Sequence, residues 1–221
     1  MERHFEQELD KLNRRILKMA GLVSAQVHDA MEALVTCDTE LAAQVIENDN
    51  QLDELDVKID KLCQRIFALT QPVATDLRLI MSALKMNNDL ERMGDLAVYI
   101  ARKIEGLAEY KEIITELKID EIAQSTERMV KDVVQMLNSR QTVLVRDIFE
   151  ESAQVREKIQ GVSSRIIEQM MAKTGVVVVA TNMTIILTHL ERMAGYCNNM
   201  AETVIFLVEG KVIKHSKPPE M

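Results

Sequence analysis

The sequence predicts an all-α protein, built as a tandem repeat of two antiparallel three-helix bundles. Three observations lead to this prediction. The chain of 221 residues contains only 7 Gly and 3 Pro, so it is poor in the residues that turns and strands require. Its apolar residues recur at steps of three and four over long segments, which is typical of helices with one buried face. A four-residue motif near the middle of the chain also recurs close to its end.

The first three predicted helices span residues 5–36, 39–69 and 75–107. Asp38 and Thr39 are favourable N-cap types for the second helix. Its apolar stripe comprises Leu41, Val45, Leu52, Leu55, Ile59, Leu62, Ile66 and Leu69. Pro72 interrupts the chain before the third helix, because proline cannot continue a helix. Thr75 is the candidate cap of that helix.

The second half repeats this order after a charged connector, residues 108–118. Three further helices are predicted over residues 120–137, 142–173 and 176–209. Thr174 and Gly175 form the expected stop between the last two helices. Residues 176–179 are β-branched and locally favour a strand, but we predict helix because no second strand exists to pair with them.

The internal repeat divides the chain. The motif Leu90-Glu91-Arg92-Met93 recurs as Leu190-Glu191-Arg192-Met193, and the same spacing aligns Ala101 with Ala201 and Leu107 with Leu207. Both copies fall on the last helix of a three-helix half, as expected for a repeat architecture. We therefore predict repeats at residues 1–108 and 109–210, followed by a disordered tail at 211–221.

Composition restricts the functional classes. A net charge of −8 argues against nucleic acid as a partner, because such proteins neutralise phosphates with basic patches. Cys37, Cys63 and Cys197 have no paired spacing and suggest buried thiols in a reducing compartment. The N-terminus lacks the apolar region of a signal peptide, and residues 176–190 are too short and polar to span a bilayer. A cytoplasmic protein is therefore expected.

Acidic residues form the candidate site. The second helix carries Asp49, Asp53, Asp56 and Asp60 at steps of four, three and four, which places them in one line. The third helix carries Asn88, Glu91 and Asp95 at steps of three and four. In the pairs Asp49/Asp53 and Glu91/Asp95 the carboxylates lie about 6 Å apart. Two facing pairs would form an all-oxygen cage for a hard cation such as Mg, Mn, Ca or iron. A solvated helix face, or a salt-bridge ladder involving Arg92, explains the same spacing.

These residues resemble the PhoU family of phosphate-signalling proteins. The segment LERMGDLAVYIAR (residues 90–102) resembles the acidic motif of the family, with Glu91 and Asp95 at its carboxylate positions. QPVATDLRLI (residues 71–80) resembles the preceding turn, and QVIENDNQLDELDVKID (residues 44–60) resembles the second helix, with Asp49 and Asp53 at acidic positions. LERMAGYCNNMAETVIFLVEGK (residues 190–211) resembles the second copy. The resemblance covers the chain except its tail.

The resemblance implies a non-enzymatic regulator. PhoU-like proteins are paired three-helix bundles that often form homodimers and bind metal ions or clusters, iron in some members, through acidic motifs. They restrain phosphate uptake and signalling through contact with the ATPase of the phosphate ABC transporter and with a PhoR-type sensor histidine kinase. Peripheral association with the inner membrane through these partners is implied. The expected ligands are Asp49, Asp53, Glu91 and Asp95, with Asp56 and Asn88 as further candidates and iron, Mn, Mg, Zn or Ca as the ion.

The second repeat departs from the acidic pattern. Gly195 stands opposite Asp95, Ser152 opposite Asp49 and Arg156 opposite Asp53. Only Glu191 retains its acid, and a lone glutamate beside an arginine cannot hold a metal cluster. We predict one competent metal site, in the first repeat, and a degenerate second one.

Two other classes share the helical fold. A ferritin-like di-iron enzyme needs Glu-x-x-His motifs on two helices, and none of the four histidines has a glutamate three residues before it. His and Cys ligands for zinc are not suitably spaced either. A helical adaptor or scaffold without a metal role remains an alternative, because it differs from the regulator only at the acids.

Overall fold

The structure is a computed structural model that describes residues 2–172 and 174–213, and within these residues all regular structure is helical. The all-α prediction is therefore confirmed. Four α-helices form the first half: α1 (Glu2–Thr36), α2 (Thr39–Asn48), α3 (Asn50–Leu69) and α4 (Ala74–Ile104). No helix in the described part of the chain is long and apolar enough to cross a membrane.

Asp38 caps α2 as predicted, because its carboxylate accepts hydrogen bonds from the backbone N–H groups of Glu40 and Leu41, each at 2.9 Å. The prediction of one continuous helix over 39–69 is wrong, since the chain breaks at Asp49. The Asp49 carbonyl accepts from the N–H of Leu52 at 2.8 Å as well as from that of Asp53 at 3.2 Å. A bond to the third residue tightens the turn locally, while the Asp49 backbone stays in the right-handed helical region (φ −60°, ψ −32°).

The cap predicted for the third helix is also wrong. Val73, in an extended conformation, occupies the N-cap of α4 without a side-chain bond, and Thr75 lies inside the first turn. Pro72 disfavours the helical region for the residue before it, and the helix begins two residues after the proline. The Thr75 hydroxyl accepts from Arg78 instead, at 3.4 Å.

The predicted connector is more ordered than expected. A 3₁₀ segment (Glu105–Tyr110) and the short helix α5 (Lys111–Glu116) follow α4, which ends three residues earlier than predicted. Leu107, Ile114 and Leu117 are buried in the core. Burial of these apolar side chains stabilises the segment and outweighs its charged composition.

The second half contains α6 (Ile119–Ser139), α7 (Val145–Ala172) and α8 (Val177–Glu209). The valine-rich start of the last segment is helical from Val177 onward, as predicted. A 3₁₀ turn (Thr174–Val176) precedes it. Gly210 ends α8 in the left-handed region (φ 72°) and donates its N–H to the Phe206 carbonyl, a conformation that glycine adopts without strain.

The two repeats share one hydrophobic core. Helices α1, α4, α6 and α8 pack against one another, while α2 and α3 pack on α1 and α4, and α7 packs on α6 and α8. His28 meets Glu127 and Asn13 meets Arg140, so α1 and α6 are antiparallel. Tyr99 lies beside His189 and Lys85 beside Phe206, so α4 and α8 are also antiparallel.

Beyond α8, the structure describes residues 211–213. These residues are not helical, and Ile213 packs against the core. Residues 214–221, which hold most of the predicted tail, lie outside the described residues, as does residue 173 of the fifth predicted helix. The repeat boundaries and the disorder of the tail stay predictions.

Candidate functional site

The four principal acids predicted from sequence lie together where α4 crosses the junction of α2 and α3. Asp49, Glu91 and Asp95 are half-buried and Asp53 is exposed. Burial raises the pKa of Asp49, and the charges of Asp53 and Asp95 raise it further, while a hydrogen bond from Gln26 and the charge of Arg102 oppose the rise. The pKa of Asp49 is therefore raised by carboxylates on both α3 and α4.

Glu91 interacts electrostatically with carboxylates on both α3 and α4. Its pKa is raised first by burial and then by Asp95, against the opposing charge of Arg92, with Asp56 and Asp53 contributing further. The side chains of Asp49, Asp53, Asp56, Asp60, Glu91 and Asp95, here called the acidic row, form one electrostatically coupled group. A positive ion would relieve this repulsion.

The acidic row does not form a finished cage. Among the described residues, no group of three or more His, Cys, Asp or Glu side chains stands ready to hold a metal ion. The carboxylates would have to turn toward an ion for it to bind. Their chemistry nevertheless fits a hard cation, because every donor is an oxygen. The assignment of these residues as metal ligands stays a prediction.

Asn87 contacts the acidic row, whereas Asn88 lies elsewhere. The Asn87 amide nitrogen donates to Asp56 Oδ1 at 2.6 Å, to Asp60 Oδ1 at 3.1 Å and to the Asp56 carbonyl at 3.2 Å. Asn88 is exposed and lines a cavity of about 310 Å³ between α4 and α8, together with Lys85 and Phe206. Burial and the charge of Asp60 raise the pKa of Asp56, against the hydrogen bond from Asn87.

Gln26 reaches the acidic row from α1. Its amide nitrogen donates to Asp49 Oδ1 at 2.9 Å and to the Val45 carbonyl at 3.4 Å. Gly94 lies beside this contact, and a Cβ added there would stand 3.5 Å from Asp49 Oδ1 and 3.4 Å from Gln26 Oε1. Neither Gln26 nor Asn87 is among the site residues predicted from the sequence. The sequence did contain a signal for such residues, namely an amide at a position of a helix where the apolar stripe predicts an apolar side chain. Gln26, for example, lies between Val23 and Ala30 in the apolar stripe of α1.

The salt-bridge alternative also has geometric support. Arg92 lies 3.4 Å from both Glu91 and Asp95, measured to one carboxylate oxygen of each. The Arg92 side chain is half exposed, so these pairs are worth little in free energy. Lys58, on the same helix as three aspartates of the acidic row, pairs with Glu54 at 2.7 Å.

The second repeat presents different chemistry at the corresponding place. Arg156 Nε lies 3.3 Å from Glu191 Oε1, and Ser152 is buried and accepts a hydrogen bond from the Asn198 amide at 2.9 Å. Gly195 contributes no side chain. His189, beside this position, stacks on Tyr99 with ring centroids 5.5 Å apart.

Fold and site together define the class: an all-α protein of two three-helix repeats with a row of carboxylates in the first. The PhoU domain family matches residues 16–104 and 119–204. The chain belongs to the PhoU family, and the resemblance predicted from its motifs is confirmed.

Relatives match over almost the whole chain. A phosphate-specific transport system accessory protein PhoU homolog of Aquifex aeolicus is 34% identical over 208 residues, 94% of each chain. The homolog from Pseudomonas aeruginosa is 33% identical over 97% of this chain and 89% of its own length. The crystal structure of PhoU from Pseudomonas aeruginosa superposes with a TM-score of 0.87 at 32% identity, covering 94% of this chain and 100% of that one. The crystal structure of the phosphate transport system regulatory protein PhoU from Streptococcus pneumoniae superposes with a TM-score of 0.81 at 27% identity.

Proposed function

We propose that this protein is a non-enzymatic negative regulator of phosphate uptake and of phosphate-responsive two-component signalling. It acts by contact with the ATPase of a phosphate ABC transporter and with a PhoR-type sensor histidine kinase. The observation that carries the proposal is membership of the PhoU family over both repeats, with relatives that are accessory proteins of phosphate-specific transport. The protein is a cytoplasmic homodimer in this proposal and meets the inner membrane through its partners.

The proposed mechanism is steric. The helical repeats hold the transporter and the kinase in inactive arrangements when phosphate is plentiful. The regulator has no reaction to catalyse, so its effect depends on surfaces that a rigid shared core keeps in place. A cation in the first repeat would stiffen α2, α3 and α4 against one another.

Partner contact is tested by capture of the purified transporter ATPase and of the kinase on the immobilised full chain. Retention of either at low micromolar concentration, together with derepression of a phosphate-responsive promoter in a deletion strain, is expected. Absence of both interactions, with promoter activity unchanged by the deletion, would contradict the proposal.

The first repeat also binds a hard metal ion or cluster in this proposal, with iron, Mn, Mg, Zn or Ca as candidates. The coupled, half-buried acidic row supports it, because like charges one helical turn apart repel by a few tenths of a kcal/mol per pair. Elemental analysis of the purified protein identifies the ion. A ligand that binds only the folded state adds about 2.7 kcal/mol of stability at 100 times its Kd, so EDTA is expected to lower the melting temperature of the loaded protein.

A matched pair of variants tests the ligand set. The test variant neutralises the predicted ligands: Asp49→Asn, Asp53→Asn, Glu91→Gln and Asp95→Asn. The control neutralises four acids of the second repeat: Asp132→Asn, Asp147→Asn, Glu151→Gln and Glu191→Gln. We expect the test variant to lose both bound metal and the EDTA-sensitive part of its melting temperature, while the control keeps them. The melting temperature in EDTA shows whether each variant is folded.

The adaptor without a metal role is the second candidate, favoured by the pairing of Arg92 with Glu91 and Asp95. Unchanged metal content and unchanged promoter regulation in the test variant would support the adaptor. Lost metal with altered regulation would support the metal-binding regulator.

A further inference from the structure

Basic and aromatic side chains meet where α4 packs against α8. Tyr99, Arg102 and Lys103 lie on α4, His189 and Arg192 lie on α8, and these five residues are here called the basic patch. The Tyr99 ring stacks on His189 with ring centroids 5.5 Å apart, and the guanidinium carbon of Arg102 lies 5.9 Å from the Tyr99 centroid. The charges of Arg192 and Lys103 both act on His189. The five side chains therefore form one connected group.

The positive charge of the basic patch is not neutralised within the described residues. Although the chain carries 35 acidic residues against 27 basic ones, none of Arg102, Lys103 and Arg192 forms an ion pair with a described carboxylate. Burial lowers the pKa of His189, and the charges of Arg192 and Lys103 lower it further. Arg102 acts on Asp49 only at longer range, by lowering the pKa of that carboxyl. Grouped cations of this kind attract an anionic ligand.

The internal repeat provides a comparison for the basic patch. At the equivalent end of the same helix pair, the repeat spacing places acidic or neutral residues. They are Asn199 for Tyr99, Glu202 for Arg102, Thr203 for Lys103 and Asp89 for His189. Arg92 corresponds to Arg192, but it pairs with Glu91 and Asp95. Packing of α4 against α8 therefore does not require cations, and the basic patch needs another explanation.

We propose that the basic patch is a docking surface for an acidic segment of a partner protein. Arg102 lies near Tyr99, whereas Lys103 and Arg192 act on His189. A segment with several carboxylates matches cations distributed around an aromatic ring better than one small anion does. Tyr99 is 44% exposed, and tyrosine and arginine are enriched in the residues that dominate binding energy at interfaces. The inference rests on the proposed function, which names the transporter ATPase and the kinase as the proteins that would carry the segment.

The test is a fluorescence anisotropy titration of a fluorescein-labelled octaglutamate peptide with the full chain at low salt. The first patch variant, Arg102→Glu with Lys103→Thr, installs the residues of the second repeat. The control, Arg14→Glu with Lys18→Thr, makes the same change of charge at exposed positions of α1. A second patch variant, Arg102→Gln with Arg192→Gln, removes positive charge without adding an acid. Melting temperatures show whether each variant is folded.

We expect the unaltered protein and the control to bind the peptide, and both patch variants to bind it at least about tenfold more weakly, as when an arginine at the centre of an interface is lost. Binding should weaken as NaCl is added, because salt shortens the range of charge interactions to about 3 Å at 1 M. In the capture assay of the proposed function, the patch variants are expected to lose the transporter ATPase, the kinase or both, while the control retains them.

The remaining outcomes overturn the inference or separate it from the proposed function. The inference fails if the unaltered protein does not bind the peptide, if the patch variants bind it equally well, or if the control loses binding to the same extent. Displacement of the peptide by inorganic phosphate at constant ionic strength would instead assign the patch to a small anion. If both partners are captured equally by all variants, the proposed function stands and the docking surface fails. If peptide binding depends on the patch but neither partner is captured by the unaltered protein, the proposed function fails and the docking surface stands.

Discussion

At the scale of the residue, the site depends on how closely α4 approaches the junction of α2 and α3, and Gly94 permits that approach. A Cβ at this position would lie 2.7 Å from Leu52 Cδ1, a buried side chain. Alanine favours the helix by about 0.8–1 kcal/mol over glycine, but overpacking a core costs about 1–3 kcal/mol. We expect Gly94→Ala to destabilise the protein by about 1 kcal/mol in urea unfolding.

Gly195, in the second repeat, is the matched control, because nothing lies within 4 Å of a Cβ added there. Gly195→Ala is expected to stabilise the protein by about 0.5–1 kcal/mol through helix propensity alone. If both substitutions changed the free energy of unfolding in the same direction, close packing would not explain why residue 94 is a glycine.

At the scale of the element, α4 and α8 occupy equivalent positions in the two repeats, but their corresponding glutamates have different surroundings. Glu91 on α4 belongs to a coupled group of carboxylates, whereas Glu191 on α8 pairs with Arg156. We expect Glu91→Gln to reduce the rise in melting temperature that Mn²⁺ produces, and Glu191→Gln to leave it unchanged. The Glu191 pair is half exposed, so its loss changes stability by at most about 1 kcal/mol. Two equivalent metal sites, or a site lost only in Glu191→Gln, would contradict the assignment to the first repeat.

At the scale of the whole molecule, the contact between repeats contains a pH-sensitive ion cluster. Glu127 on α6 accepts hydrogen bonds from Lys131 and from His28 on α1, the latter at 2.9 Å. Burial acts to raise the pKa of Glu127, but the bonds from Lys131 and His28 outweigh it and hold the pKa below the ordinary value of 4.5. A carboxylate whose pKa is lowered by folding stabilises the folded state above its unfolded pKa and loses that effect as pH falls through its folded pKa.

We therefore expect Glu127→Gln to destabilise the protein by about 0.5–1 kcal/mol at pH 7, since Lys131 and His28 are half exposed and solvent screens the cluster. The difference should shrink as pH falls below 4.5 and through the lowered pKa of the Glu127 carboxylate, because that group is then protonated in the folded state. Urea unfolding at pH 7 and over a series of acid pH values measures it, with Glu157→Gln on the exposed face of α7 as the control. A difference that persisted at acid pH would show that shape or packing, rather than charge, is responsible.

The sequence by itself determined the helices and their duplication. The period of the apolar residues can be read within each segment, and the repeated motif can be read by comparing the two halves, so neither requires knowledge of how the helices pack. It also placed Asp49, Asp53, Glu91 and Asp95 on facing helices. The break at Asp49 follows from a tightened turn at the junction where Gln26, 23 positions earlier in the chain, binds the same residue. The order of the connector follows from burial of Leu107 and Ile114 in a core shared by both repeats.

Only the tertiary structure decided which polar groups meet. Gln26 and Asn87 occupy apolar positions of their helix stripes, and spacing cannot tell an amide that faces a carboxylate from one that is merely tolerated. Asn87 rather than Asn88 contacts the acidic row because one residue turns a side chain by about 100° around the helix axis. The side chain that faces an acid is determined by the rotation of packed helices, which emerges from the whole core.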